Sequence, residues 1–198
     1  MPGKRNIVLI TLDSLRADHC SFMGYQRKTT PTVDKMAKRG LHFENAIAAS
    51  IPTPQSMFCV FTGRYPYVDF YSRDFQTWRN EFRYKTTLSQ VLTKKGYFTV
   101  AINPNPYVSK VLGFGKGFKH FYDFRGNNKL KLLYRLSRWI GFSEVVPDLI
   151  LGKGVTTKCE ELFQCIKKIR INEPFFLWVL LLDTHTPYFP PRKFRKYS

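Results

Sequence analysis

The chain has 198 residues, of which 43% are hydrophobic and 16% aromatic. This composition excludes a disordered chain and is sufficient for one domain with a hydrophobic core. The formal net charge of +18 favours an anionic partner, which could be nucleic acid, anionic lipid headgroups or an anionic substrate. No zinc-finger, RNP or other clear nucleic-acid motif accompanies the charge, so a solvated basic face is the plain alternative.

The first predicted strand is the apolar run NIVLITL, residues 6–12, which is typical of a strand buried on both faces. It ends at Asp13, and the uncharged run before that residue is short for the core of a signal peptide. The later run PFFLWVLLL is too brief to span a bilayer. We therefore expect a cytoplasmic protein, with contact between the basic residues 110–138 and a membrane surface as a weaker possibility.

Three elements are predicted between the first strand and residue 66. TPTVDKMAKRG indicates a short helix with Pro31 near its start and Gly40 at its end. LHFENAIAA, residues 41–49, alternates as a strand does. In SIPTPQSMFCVFTGRYP, Thr53 directly precedes Pro54, which predicts a helix with Thr53 as its N-cap. Thr53 could simply be a helix cap, or it could be a nucleophile placed where a helix N-terminus attracts an anion.

Strands and helices continue to alternate over the rest of the chain. A capping box, Thr87 with Gln90, begins a helix that stops at Gly96 and leads into the strand YFTVAIN. Residues 103–150 form an excursion that is rich in proline, glycine and lysine and carries a short basic helix near 129–140.

A second capping box, Thr157 with Glu160, begins a helix in TTKCEELFQCIKKIR, which has a basic C-terminal end, and the final strand PFFLWVLLLD follows. This alternation predicts an α/β fold with a mostly parallel central sheet and helices on both faces. In such a sheet, ligands bind beyond the carboxyl ends of the strands.

Polar residues lie at the carboxyl ends of two predicted strands and at the start of one predicted helix, where a ligand would bind. Asp13 follows the first strand, Asp183-Thr184-His185 follows the last, and Thr53 begins a helix. Each has an ordinary explanation, since Asp13 could cap the next segment and Asp183 could form a turn. Their shared location is what points to a functional site.

At these residues the chain resembles the N-terminal portion of the sulfatase family, within the alkaline phosphatase superfamily. The resemblance implies one N-terminal domain over residues 1–198, without the C-terminal part of the family fold, and therefore an incomplete architecture. Six blocks in family order carry it: NIVLITLDSLRADH, TTPTVDKMAKRGLHFENAIA, TPQSMFCVFTGRYP, GYFTVAI, GFGKGFKHFYDF and PFFLWVLLLDTHTPYFPP.

The resemblance also implies a set of site residues. Asp13 stands where the family binds a divalent metal, and Thr53 stands at the position of the nucleophile, which is also a metal ligand. His185 lies in the block whose histidine is near the transferred group, so it is assigned to catalysis and substrate binding. Asn103 is assigned to substrate binding. Ca²⁺ is the first candidate for the metal, with Mg²⁺, Mn²⁺ or Zn²⁺ as alternatives.

The departures from the family pattern concern the same positions. Thr53 replaces the cysteine that typical sulfatases convert to formylglycine, and Ser14 replaces a second aspartate. Asn103-Pro104-Asn105-Pro106 replaces a Lys-x-His segment. We therefore expect a metal-dependent hydrolase of sulfate or phosphate esters with a threonine nucleophile. The alternatives are an inactive, truncated remnant and a basic module that binds anions or nucleic acid.

Overall fold

The computed structural model describes residues 3–66, 75–123 and 159–186, and these form one parallel sheet with helices on both of its faces. Every neighbouring pair of strands is parallel, and the strand order is β1-β4-β2-β3. The predicted fold class is therefore confirmed. The strands are β1 (Ile7–Leu12), β2 (Phe98–Asn103), β3 (His120–Asp123) and β4 (Phe175–Leu181).

Five α-helices lie within the described ranges, together with three short 3₁₀ helices. None of these helices is both long enough and apolar enough to cross a bilayer. The α-helices are α1 (Pro31–Ala37), α2 (Thr53–Thr62), α3 (Phe75–Tyr84), α4 (Leu88–Lys94) and α5 (Cys159–Lys168), and the 3₁₀ helices are Ala17–His19, Ser21–Met23 and Lys110–Leu112.

The central strand β4 builds two cores because its side chains alternate between the faces of the sheet. Phe176 and Trp178 point to the face covered by α2, α3 and α4. On that face the ring centroids of Phe61 and Trp178 are 4.5 Å apart. Leu177 and Val179 point to the other face and pack with Leu162 of α5. A continuous apolar run is therefore required in β4, as the sequence predicts.

The prediction that the first strand is buried on both faces is wrong. β1 is an edge strand of the described sheet and is paired with β4 alone. Its Ile7, Val8, Ile10 and Leu12 side chains are 36–53% exposed. Apolar runs in an edge strand and in a central strand look alike in a sequence, because the pattern does not record how many neighbours a strand has.

The predicted strand at residues 41–49 is also absent from the structure, and this segment is irregular. Leu41 and Ile47 are about 90% exposed, and Phe43 is 74% exposed. Alternation of apolar residues favours a strand only when a partner edge is available for hydrogen bonding. None of the described strands pairs with this segment.

The predicted helix that begins at Pro31 ends at Ala37, and a turn then leads to Gly40, whose N–H donates to the Met36 carbonyl. The Thr87–Gln90 capping box is confirmed with both of its hydrogen bonds. Sequence analysis missed α3 and β3. The predicted basic helix near 129–140 and the second capping box, Thr157 with Glu160, lie outside the part of the chain for which side chains are described.

Gly117 joins α4 to the sheet through a close backbone contact. Its φ angle of +84° is left-handed, and a β-carbon added there would lie 2.4 Å from the Gln90 backbone nitrogen. The Gly117 carbonyl accepts hydrogen bonds from the Thr93 and Thr99 hydroxyls at 2.7 and 3.2 Å. Only glycine satisfies both the backbone angle and the packing at this position.

We expect Gly117→Ala to lower the free energy of unfolding by roughly 2–4 kcal/mol, because left-handed strain and overpacking act together. Gly24→Ala is the matched control, since Gly24 has a φ of +98° but no atom within 4 Å of an added β-carbon. Its cost should be limited to strain, about 1–2 kcal/mol. Urea denaturation of both variants measures the difference, and equal losses would contradict the close contact.

Candidate functional site

The carboxyl ends of three adjacent strands, β1, β4 and β2, form one edge of the sheet. Asp13 follows β1 and donates its backbone N–H to the Leu181 carbonyl at 2.9 Å. Thr184 follows β4, and its hydroxyl donates to the Asp13 carbonyl at 2.6 Å. The sheet order thus brings together two segments that are about 170 residues apart in the sequence.

Thr53 reaches Asp13 from the N-terminal end of α2. Its Oγ1 donates to the Asp13 carboxylate, at 3.0 Å from Oδ2 and 3.2 Å from Oδ1. The prediction that Thr53 is an N-cap is wrong, because the helix begins at Thr53, and Pro52 is the N-cap residue, with its carbonyl accepting from Ser56. The Thr53 hydroxyl makes no capping bond to the helix backbone and points to Asp13.

Ser14 follows Asp13 in a strained backbone conformation. It is the only non-glycine residue with positive φ in the described ranges, at 60°, which is the left-handed region. Its hydroxyl lies 3.4 Å from Asp13 Oδ1. Strain of about 1–2 kcal/mol for such a residue is typical of sites where the chain must present a side chain in one direction.

The segment after β2 contributes Asn105, a residue that sequence analysis did not select. Asn105 is 7% exposed, and its Nδ2 donates to Asp13 Oδ2 at 3.2 Å. Asn103, which was assigned to substrate binding, is fully buried. Its amide donates to the Val108 carbonyl and its Oδ1 accepts from the Asn105 N–H, so its side chain stabilises the loop. The Asn-Pro-Asn-Pro spacing was the signal that could have identified Asn105.

His185 follows the carboxyl end of β4, at the same edge of the sheet as Asp13. Its backbone N–H donates to the Leu182 carbonyl, and its ring Nδ1 is 2.5 Å from the Thr186 carbonyl. Since a carbonyl only accepts, Nδ1 is the donor in this contact, and Nε2 is the ring nitrogen left for contact with other groups. The structure does not join His185 to Asp13 or Thr53 by a hydrogen bond within the described residues.

The atoms at this edge that could bind a metal are oxygens, those of the Asp13 carboxylate and of the Thr53 and Ser14 hydroxyls beside it, whereas the Asn105 amide nitrogen donates to the carboxylate. Carboxylate and hydroxyl oxygens suit hard cations such as Ca²⁺ and Mg²⁺. Among the described residues, no group of three or more His, Cys, Asp or Glu side chains could hold a metal ion. The described residues thus fit one part of a metal site.

Comparison with known proteins identifies the family. The sulfatase family model matches residues 5–198. The chain belongs to the sulfatase family. It is 24% identical to human N-acetylgalactosamine-6-sulfatase over 220 residues, which covers 98% of this chain and 42% of the human protein. This sulfatase-family chain therefore spans less than half the length of that relative.

Solved structures share the fold of this sulfatase-family chain. Phosphonate monoester hydrolase of Agrobacterium radiobacter superimposes with a TM-score of 0.62 at 18% identity, over 96% of this chain and 43% of that one. The C-terminal periplasmic domain of EcEptC from Escherichia coli, in complex with Zn, gives a TM-score of 0.61 at 18% identity, over 100% of this chain and 50% of that one. At these identities the comparison establishes the fold.

The hydrogen bond between Thr184 and the Asp13 carbonyl should contribute measurably to stability. We expect Thr184→Val to lower the free energy of unfolding by about 1 kcal/mol, because the half-buried carbonyl loses its donor. Thr184→Ser keeps the hydroxyl and should retain most of the stability. Chemical denaturation distinguishes the two variants, and a valine variant as stable as the serine variant would contradict the role of this bond.

Proposed function

We propose that this chain carries the nucleophile of a metal-dependent hydrolase of sulfate or phosphate esters, with Thr53 as the nucleophile. The observation that supports this proposal is the contact of the Thr53 hydroxyl with the Asp13 carboxylate at 3.0 Å, at the first residue of α2. An anionic ester is favoured at that place, because unpaired N–H groups and the helix dipole present partial positive charge.

Asp13 and Thr53 would hold a divalent cation together with ligands from outside the described residues. When bound, the cation would lower the pKa of the Thr53 hydroxyl and neutralise the charge on the ester oxygens. Oxygen donors favour Ca²⁺, Mg²⁺ or Mn²⁺ over Zn²⁺. We propose Ca²⁺ as the first candidate.

Thr53 would act in two steps. After its hydroxyl proton passes to water, Oγ1 forms a bond to the sulfur or phosphorus atom while the bond to the alcohol oxygen breaks. The alcohol leaves with a proton, which protonated His185 or water provides. Water then attacks the sulfur or phosphorus atom, which releases the inorganic anion and returns the proton to Thr53 Oγ1.

We propose that phosphate esters are the better substrates. The human relative is named as a sulfatase, whereas one structural neighbour is named as a phosphonate monoester hydrolase. A formylglycine hydrate can release sulfate by elimination, but a sulfated threonine has no second hydroxyl on the same carbon. A threonine nucleophile therefore suits phosphoryl transfer, in which water attacks phosphorus directly.

A basic anion-binding module without catalysis is the second candidate, and the net charge of +18 favours it. Such a module would bind phosphate or sulfate anions with an affinity that falls as ionic strength rises. It would not require Thr53. Turnover that depends on Thr53 therefore distinguishes the two functions.

Replacement of Asp13 tests the metal site. In the full-length protein, Asp13→Asn should weaken Ca²⁺ binding by roughly tenfold or more, because the site loses its charged oxygen ligand. Calorimetric titration measures the affinity. Asp18→Asn is the matched control, since Asp18 is an exposed carboxylate in the nearby 3₁₀ helix Ala17–His19, paired with Arg16. Unchanged affinity in Asp13→Asn would remove Asp13 from the site.

Replacement of Thr53 tests the nucleophile. Thr53→Ala should lower kcat/KM for para-nitrophenyl phosphate by about 1000-fold or more, because the variant lacks the hydroxyl that forms the covalent intermediate. Ser56→Ala, one turn along the same helix, should retain most of the activity. Substantial turnover by Thr53→Ala would contradict the assignment, and faster hydrolysis of the matching sulfate ester would contradict the preference for phosphate.

A further inference from the structure

The Asn105 side chain links the loop after β2 to Asp13 through two hydrogen bonds of opposite sense. Its Oδ1 accepts from the Tyr107 backbone N–H at 2.9 Å, and its Nδ2 donates to Asp13 Oδ2 at 3.2 Å. The first bond requires an acceptor and the second requires a donor. Only one orientation of the amide satisfies both bonds, so the amide nitrogen must face Asp13.

Two further hydrogen bonds hold the backbone of Asn105 and the loop around it. The Asn105 N–H is held by Asn103 Oδ1 at 2.9 Å, and Asn103 in turn donates to the Val108 carbonyl. Both asparagines are buried, with Asn105 7% exposed and Asn103 fully buried. Asn105 therefore reaches Asp13 from a buried loop that these hydrogen bonds hold in place.

We propose that Asn105 is a positioning residue, which fixes the Asp13 carboxylate in the orientation that binds the metal and meets Thr53. This inference depends on the proposed role of Asp13 as a metal ligand. Thr53 donates to both carboxylate oxygens, and Asn105 donates to Oδ2 alone. The neutral amide thereby limits rotation of the carboxylate without adding a charge that would compete with the cation for it.

Asn105→Asp separates this role from a role in the loop alone. Aspartate keeps the acceptor that the Tyr107 N–H needs, so the turn is preserved. It loses the donor that faces Asp13 and places a second carboxylate against the first. A purely structural Asn105 would tolerate the change, whereas a positioning Asn105 would not.

The chain contains a matched control for Asn105→Asp. Asn6, at the opposite end of β1, donates Nδ2 to Glu173 Oε1 at 2.6 Å and accepts from the Phe175 N–H at 3.1 Å. Asn6→Asp thus makes the same chemical change beside a carboxylate, far along β1 from Asp13. It should alter neither Ca²⁺ binding nor turnover.

The experiment uses the full-length protein and three readouts: the metal-free Tm, the Ca²⁺ affinity from calorimetry, and kcat and KM for para-nitrophenyl phosphate. We expect Asn105→Asp to lower the metal-free Tm by about 3 °C or more. The exchange variant, Asp13→Asn with Asn105→Asp, should recover most of that loss, because it restores one donor facing one carboxylate.

Asn105→Ala should weaken Ca²⁺ binding about tenfold. In both single variants of Asn105, kcat should fall about tenfold while KM changes less.

Two results would overturn the inference in distinguishable ways. If Asn105→Asp keeps the wild-type Tm and kcat, and Asn105→Ala keeps the wild-type Ca²⁺ affinity, while Asp13→Asn loses Ca²⁺ binding, then Asn105 serves only the loop and the proposed function is unaffected. If Asp13→Asn itself binds Ca²⁺ as the wild type does, the proposed metal site fails. The positioning role then fails with it, even where the exchange variant recovers the Tm.

Discussion

The Asp13 carboxylate is the group on which the candidate site depends. It accepts hydrogen bonds from Thr53 on α2 and from Asn105 after β2. The backbone carbonyl of Asp13 accepts a further bond from Thr184 after β4. These donors come from three separate parts of the chain. They meet because β1, β4 and β2 are adjacent and parallel, so that their carboxyl ends lie at one edge. The order of the strands thus determines which side chains meet at the candidate site.

Packing behind that edge keeps α2 in place. Phe61 of α2 packs on Trp178 of β4 in a T-shaped contact, and Phe58 packs on Trp78 and Phe82 of α3. These aromatic contacts bury most of their ring surface and hold the helix over the sheet. The position of the Thr53 hydroxyl therefore depends on apolar residues one and two turns further along the same helix.

Much of the fold could be predicted from the sequence, because capping boxes, apolar runs and turn residues are local signals. β2, β4, α1, α2, α4 and α5 were recognised in this way. The edge position of β1 and the irregular segment 41–49 could not, since both depend on which strands become neighbours. Asp13 and Thr53 were identified together from their motifs, although their contact needed the structure. Asn105 was missed although it lies in the same Asn-Pro-Asn-Pro segment as Asn103, because the sequence does not show which of the two amides faces Asp13.

The edge position of β1 has a consequence for local stability. Backbone hydrogen bonds to β4 on one side hold β1 in the described sheet, and much of its apolar surface faces solvent. Strands of this kind open by local fluctuation at a lower free energy than the core, and their amide hydrogens exchange sooner. Opening of β1 would carry Asp13 away from Thr53 while α2 and β4 stay packed. The intact site is therefore one state of a local equilibrium, and any segment that pairs with the side of β1 that no described strand covers would raise the population of that state.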